Sequence, residues 1–323
     1  MVKASVVIAA MNAEKFIGKC LDSLEGQSFK DFEVIVVDDG SSDNTIGAAN
    51  AYPRVRVLKQ DHAGPAIARN NGAWAAKGQI IVFTDSDCVL ERNWLEEMVR
   101  PFKEKEIAGV QGRYRTRQKS IIARLIQLEI ERSYVKMAKR KFIDFMGTYS
   151  AAYRKKVFEE MKGFDTSFPI ASGEDTDLSF RVSEAGYKMV FRPKAIVFHT
   201  HPESLRKYLK IKFFRAFWRT KVYKRHRGKM VKDAYTSQMV KAQLLLFYGA
   251  FVVLAVAAAI EGITIFYVGV TLLLLFLSTL PFALWSIRKD FAVGLASIPL
   301  GLLRTAFFGA GFATGILNQV ISK

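Results

Sequence analysis

The chain has 323 residues, half of them apolar, and its 48 Lys and Arg against 30 Asp and Glu leave a formal charge of +18. That length accommodates a sizeable buried core without staples. The two cysteines, Cys20 and Cys88, supply no disulfide framework, which fits a reducing compartment. The charge calls for an anionic partner, whether nucleic acid, an acidic membrane surface or a phosphorylated substrate. Nucleic acid fits poorly, because no zinc-ligand spacing, recognition-helix signature or RNA-binding aromatic motif is present.

The first hundred residues alternate short apolar runs with helical patterns, which predicts β-α-β units in a largely parallel α/β sheet. Ser5 to Ala10 reads as a strand and is too short for the apolar region of a signal peptide, so the N-terminal part is expected to stay in the cytoplasm. A helix is predicted over Ala13 to Leu24 and a strand over Phe32 to Val37, ending at Asp38. A helix follows over Ser41 to Asn50, with Ser42 or Asp43 as N-cap. Val55 to Leu58 and Gln79 to Thr84 read as strands flanking a helix over Gly64 to Ala76. In open α/β sheets ligands bind beyond the carboxyl ends of the strands, so Asp38, Asp39, Asp85 and Asp87 are expected to meet at one crevice. Ser120 to Phe142 reads as an amphipathic helix, either packed on the sheet or lying at a membrane surface or acceptor site.

Beyond residue 200 the character changes. Arg206, Lys207, Lys210, Lys212, Arg215, Arg219, Lys221, Lys224, Arg225, Arg227, Lys229 and Lys232 precede the first long uncharged run, a juxtamembrane pattern that attracts anionic lipid. Leu244 to Ile260 and Gly262 to Ile287 are long enough to span a bilayer and are joined by a short turn at Glu261 and Gly262. Phe291 to Leu303 and Thr305 to Ile321 flank Arg304. A third span places this arginine mid-membrane, where such residues are functional or paired; two interfacial pieces are the alternative. Gly301, Gly309, Gly311 and Gly315 would permit close helix packing there. The expected organisation is a catalytic domain over 1–200, basic interface helices over 201–241 and a multi-pass anchor over 242–323.

Two carboxylates stand at the end of a strand in Val36 to Asp43, where they can accept hydrogen bonds from a nucleobase or ribose, while Asp43 suits a helix cap. Asp85 and Asp87, one residue apart after an apolar strand, suit a hard divalent cation such as Mg2+ or Mn2+. Asp175 lies in a glycine-bounded loop where a carboxylate can deprotonate an acceptor hydroxyl. Its neighbour Glu174 also suits a helix start. His199 and His201 follow a strand-like Ala195 to Phe198 and would share a face by period two, with metal, diphosphate or structural hydrogen-bonding roles open.

Taken in order, Ser5 to Glu14, Val36 to Ser41, Ala68 to Gly72, Asp85 to Asp87, Gly163 to Asp165 and Gly173 to Asp177 resemble an inverting family 2 glycosyltransferase of the GT-A fold, of the cellulose-synthase-like and polyprenol-sugar branches. The resemblance covers roughly residues 4–200. It implies that Ala9, Asn12, Glu14, Asp38 and Asp39 hold the nucleoside and that Arg69 approaches the diphosphate. It further implies that Asp85 and Asp87 hold nucleotide and metal, with His199 as a further ligand, and that Asp175 is the catalytic base. Glu174, His201, Arg215, Trp218 and Arg219 are expected near acceptor or diphosphate. Two departures stand out. Arg215 to Arg219 reads Arg-Ala-Phe-Trp-Arg where processive members carry Gln-x-x-Arg-Trp, and Met11 occupies the place of a base-stacking tyrosine. The alternative for Trp218 is an interfacial helix with its arginines snorkelling.

The implied activity is transfer of one hexose from a nucleoside diphosphate sugar, GDP-mannose or UDP-glucose, to a polyprenol-linked acceptor at the cytoplasmic face, with mannose slightly favoured. Glycolipid or N-glycan precursor synthesis would consume the product. A processive polysaccharide synthase, with Arg304 facing a conduit, and a non-catalytic membrane-anchored nucleotide-binding module are the alternatives. A nucleotidyltransferase lacks support, because no glycine-rich basic phosphate loop occurs near residues 8–20.

Overall fold

The computed structural model describes residues 3–231, 233–259 and 265–321. These divide into two compact units. One comprises residues 3–117, 130–200 and 233–235, the other 118–129, 201–231 and the described part of 236–321.

The first unit is built on eight strands: β1 (Ala4–Ala10), β2 (Phe32–Asp39), β3 (Val55–Gln60), β4 (Ile80–Asp85), β5 (Val89–Leu90), β6 (Ile107–Arg115), β7 (Ala151–Arg154) and β8 (Lys188–Phe198), in sheet order β3-β2-β1-β4-β7-β6-β8-β5. The first four sheet positions are mutually parallel, as the alternating pattern predicts. The other half departs from that expectation. β7 runs antiparallel to both β4 and β6, and β5 antiparallel to β8 at the edge. These strands escape a sequence search because β7 has four residues, β5 has two, and β6 carries Gly109 and Gly112 with two register shifts against β8.

Around the sheet lie α1 (Glu14–Glu25), α2 (Thr45–Asn50), α3 (Pro65–Ala75), α4 (Trp94–Val99), the second half of α5 (Ile121–Ala138), α6 (Lys155–Glu160) and α7 (Glu174–Glu184). α1 forms because Ile17, Cys20, Leu21 and Leu24 recur at helical spacing and bury one stripe. β1 and β4 are covered on both faces and therefore read as continuous apolar runs. The core is aromatic at its centre: Phe83 contacts Tyr153, Phe158 and Phe164 at ring-centroid distances of 5.1–6.3 Å.

The second unit contains the start of α5 together with α8 (Leu205–Arg225), α9 (Arg227–Val231), α10 (Gln238–Ala259), α11 (Ile265–Leu277), α12 (Leu280–Ile287) and α13 (Phe291–Ile321). Three stretches, Gln238–Val256, Phe266–Ile287 and Phe291–Ile321, are long and apolar enough to cross a membrane. The expected turn at Glu261 and Gly262 lies outside the described residues. Within the second stretch the helix breaks between α11 and α12, because Pro281 has no N–H to continue the ladder. The side chains of Ser278 and Thr279 turn back onto the carbonyls of Leu275 and Phe276 there.

The two segments flanking Arg304 form one continuous helix rather than two interfacial pieces, running through both Pro299 and Arg304. Arg304 is paired: Nη1 donates to Glu129 Oε1 at 2.9 Å and Nη2 to Gln243 Oε1 at 2.6 Å. Lys212 and Tyr208 also donate to Glu129, at 2.6 and 2.9 Å. Burial alone would raise the Glu129 carboxyl, but Lys212 and Arg304 hold it down at about 2.

α13 lies along α8 because glycines remove the side chains at the crossing. A Cβ on Gly311 would stand 2.2 Å from the Phe213 carbonyl oxygen, and one on Gly315 2.6 Å from that of Phe217. Gly311→Ala should therefore lower stability by about 1–3 kcal/mol through overpacking. Gly249→Ala, which meets nothing within 4 Å, should leave it unchanged or slightly raised. Thermal unfolding in detergent measures both.

Candidate active site

Strand register assembles the site. Ala9 pairs with both Val37 and Asp85, and Ala10 with Asp38, so the carboxyl ends of β1, β2 and β4 stop at one level and present their acidic residues together.

The loops after β1 and β2 are stitched to each other. The Asn12 amide donates to Ser41 Oγ at 2.9 Å, and Asn12 Oδ1 accepts from the Ser42 amide at 2.9 Å. The Ala13 amide donates to Thr45 Oγ1 at 2.7 Å, the Glu14 amide to Asp43 Oδ2 at 3.1 Å, and the Asn44 amide to Glu14 Oε2 at 3.2 Å. Asn12 and Glu14 thus serve the loop framework, with Asn12 itself at a positive φ of 50°. α2 begins at Thr45 rather than Ser41, since the preceding residues are spent on this stitching. Asp43 still takes a capping part, as its Oδ1 accepts the Thr45 amide.

The two β2 carboxylates have different environments. Asp39 is saturated by the loop before α3. It accepts from Gln60 Nε2 at 2.7 Å, the Ala63 amide at 2.8 Å and the Gly64 amide at 3.0 Å, and lies 3.0 Å from His62 Nδ1. Asp38 is also buried. Its Oδ2 accepts only the Ser41 amide, and its Oδ1 has no partner. A buried carboxylate oxygen without a donor is costly, and of the two β2 carboxylates only Asp38 has one.

Arg69, on α3, is buried and spans the site, with Nη2 donating to Asp85 Oδ1 at 3.1 Å and Nη1 to Glu174 Oε1 at 2.9 Å. Gly173 caps α7 just before its first residue; its left-handed φ of 108° turns the chain sharply into the helix and places Glu174, Asp175 and Asp177 in the first turn, where the helix dipole favours negative charge. Burial, and Asp175 beside it, push the Glu174 carboxyl up to about 7 against the opposing pull of Arg69. Asp175 is half-buried, and its Oδ1 accepts from the Thr176 amide at 2.6 Å.

Asp85 Oδ2 accepts from the Tyr114 hydroxyl at 3.3 Å, and Asp87 Oδ2 lies 3.2 Å from His199 Nε2. Tyr114, at the end of β6, also stacks on Tyr149 at 3.5 Å and lies 4.7 Å from the His199 ring. It carries no motif, and only the unforeseen pairing of β6 beside β8 brings it here. Ligand atoms of Asp85, Asp87 and Cys88 lie within 4.8 Å of one another. The Cys88 thiol is kept protonated by burial and by both aspartates, so the usable donors are carboxylate oxygens with the His199 nitrogen beside them. That set fits Mg2+ or Mn2+.

The remaining expected residues belong to the second unit. β8 ends at Phe198, so period two does not extend to His201. Its Nε2 lies 3.1 Å from Gln127 Oε1, and its amide donates to Gln118 Oε1 at 2.6 Å. On α8, Arg215 is exposed, Trp218 lies edge-on to Phe217, and Arg219 donates to Thr236 Oγ1 at 3.1 Å.

The sheet order with its antiparallel insertion, the stitched loops after β1 and β2 and the Asp85–Asp87 pair define a GT-A fold. A mannosyltransferase from Pyrobaculum calidifontis, solved in complex with GDP-Man and Mn2+, superposes with a TM-score of 0.67 at 19% identity, over 98% of this chain and 87% of that one. Residues 5–162 match the family model described as Glycosyl transferase family 2, so the chain carries a family 2 glycosyltransferase domain. Among curated relatives, the pre-mycofactocin glycosyltransferase of Mycobacterium tuberculosis is 31% identical over 222 residues, 65% of this chain and 45% of that protein. The O-antigen chain rhamnosyltransferase of Salmonella typhimurium is 27% identical over 224 residues, 62% of this chain and 67% of the relative. The matched region thus spans less than half of the mycobacterial protein.

Arg69→Met leaves Glu174 buried without its partner and should cost about 3–5 kcal/mol in unfolding free energy. A free glutamate titrates near 4.5. Because Glu174 holds its proton up to about 7, the folded state binds more protons than the unfolded state between these values, and stability falls as pH rises through that window. Glu174→Gln should flatten this fall; a Tm-against-pH series from 4 to 8 reads the difference.

Proposed function

We propose that the chain transfers a single hexose, with inversion, from a nucleoside diphosphate sugar to a polyprenol phosphate or diphosphate acceptor at the cytoplasmic membrane face, supplying glycolipid or N-glycan precursor synthesis. The observation that carries this is the Arg69 bridge, which draws the first turn of α7, with half-buried Asp175, to Asp85 at the carboxyl end of the sheet. Asp38, with one unpartnered oxygen, would receive a donor from the nucleoside. Asp85, Asp87 and His199 would hold a divalent cation, which when bound offsets the charge gathering on the departing diphosphate. Asp175 takes the proton from the acceptor oxygen as that oxygen bonds to the anomeric carbon. The bond from that carbon to the diphosphate breaks on the opposite side, its electron pair leaving with the nucleoside diphosphate.

GDP-mannose is the donor to test first, since a protein of the same fold is known with GDP-Man and Mn2+ bound; UDP-glucose is the second. Three helices long and apolar enough to cross a membrane support a lipid-linked acceptor. Arg304, engaged with Glu129 and Gln243, lends no support to a polysaccharide conduit.

Purified protein in detergent, given Mn2+, a panel of radiolabelled nucleotide sugars and polyprenyl phosphate or diphosphate acceptors, should put label into one discrete lipid. Asp175→Asn should lower that rate by about 10²-fold or more while retaining nucleotide binding. Tight metal-dependent nucleotide binding without transfer to any acceptor would instead favour a non-catalytic binding module.

A further inference from the structure

α8 and α9 carry a one-signed surface. Between Leu205 and Val231 there are eleven Lys and Arg and no Asp or Glu. Part of this charge is absorbed inside the second unit: Lys212 ends on Glu129, and Arg219 on Thr236. α8 stops at His226, which is buried, and the chain turns there into α9. Lys224, Arg225 and Arg227 are all exposed around this turn.

Two further features belong to the same elbow. Met230 and Val231, at the end of α9, are exposed by 49% and 69%, an arrangement that water disfavours. The Val231 carbonyl also accepts from Gln238 Nε2 and from Lys241 Nζ, each at 3.0 Å. Both donors stand in the first turn of α10, where the first candidate membrane span begins. The exposed apolar pair is therefore tied by hydrogen bonds to the level at which the chain would enter the bilayer, with the cationic residues three to six positions before Met230.

We propose that the α8–α9 elbow is a docking surface for an anionic phospholipid bilayer, in which Met230 and Val231 enter the boundary between headgroups and acyl chains while Lys224, Arg225 and Arg227 lie against lipid phosphates. Apolar side chains flanked by Lys and Arg partition in this way, and the attraction falls off within a Debye length of the surface. This deepens the membrane-face reading of the proposed function, naming the lipid class and the residues that read it.

The test uses the full chain in nanodiscs of neutral phosphatidylcholine or of phosphatidylcholine with phosphatidylglycerol. Met230→Cys carries an environment-sensitive fluorophore, the native Cys20 and Cys88 being buried. Blue-shifted emission, quenched by a lipid-borne quencher, is expected in the anionic discs and should revert towards the water value in high salt. The triple variant Lys224→Glu, Arg225→Glu, Arg227→Glu should show the same reversion, with thermal unfolding of each labelled protein confirming that the fold is intact. Equal emission in neutral and anionic discs, or emission indifferent to salt and charge reversal in a folded protein, overturns the proposal. Sugar transfer is not the readout, so absence of the transferase activity would leave a positive lipid result standing, and a negative lipid result would leave the activity standing.

Discussion

The first unit depends on a buried guanidinium. Arg69 stands on the helix after β3, yet its partners come from the end of β4 and the start of α7, the second of them 105 residues further along the chain. Isolated, each of these groups would be expensive to bury; together they satisfy one another's hydrogen bonds and fix three elements at the mouth of the sheet. The bond to Asp85 also sets the carboxylate pair that faces the carboxyl ends of the strands. Glu174 completes the pairing and carries a raised pKa, because burial and neighbouring Asp175 work against the guanidinium.

A comparable device organises the second unit. Glu129 receives Lys212 and Tyr208 from α8 and Arg304 from α13, and Arg304 reaches on to Gln243 of α10. Without these partners an arginine inside a 31-residue apolar helix would be a liability; with them it is a cross-tie among four helices. The glycines of α13 act with it, since close backbone approach to α8 is what lets the short-range packing proceed.

Legibility in the sequence followed chemical distinctness. Asp85, Asp87, Asp38 and Asp39 are readable because each pair stands where an apolar strand run stops, the end of an α/β sheet at which ligands bind. Even so, Asp38 and Asp39 have opposite circumstances, one with an unpartnered oxygen and one saturated by the loop before α3. Asn12 and Glu14 were expected at the nucleoside and are occupied in stitching two loops together. Tyr114 left no trace in the motif pattern, being one aromatic residue in a glycine-interrupted strand.

The sequence by itself determined the parallel half of the sheet, the acidic strand ends, the basic segment and the apolar helices. Each of these follows from periodicity or composition within a short window, where local physics is sufficient. The tertiary structure alone decided the antiparallel insertion of β7, the Arg69 bridge, the continuity of α13 and the partner of Arg304. All of these rest on contacts between residues far apart in the chain, and no local pattern encodes which distant charge or backbone a side chain will meet once the core has closed.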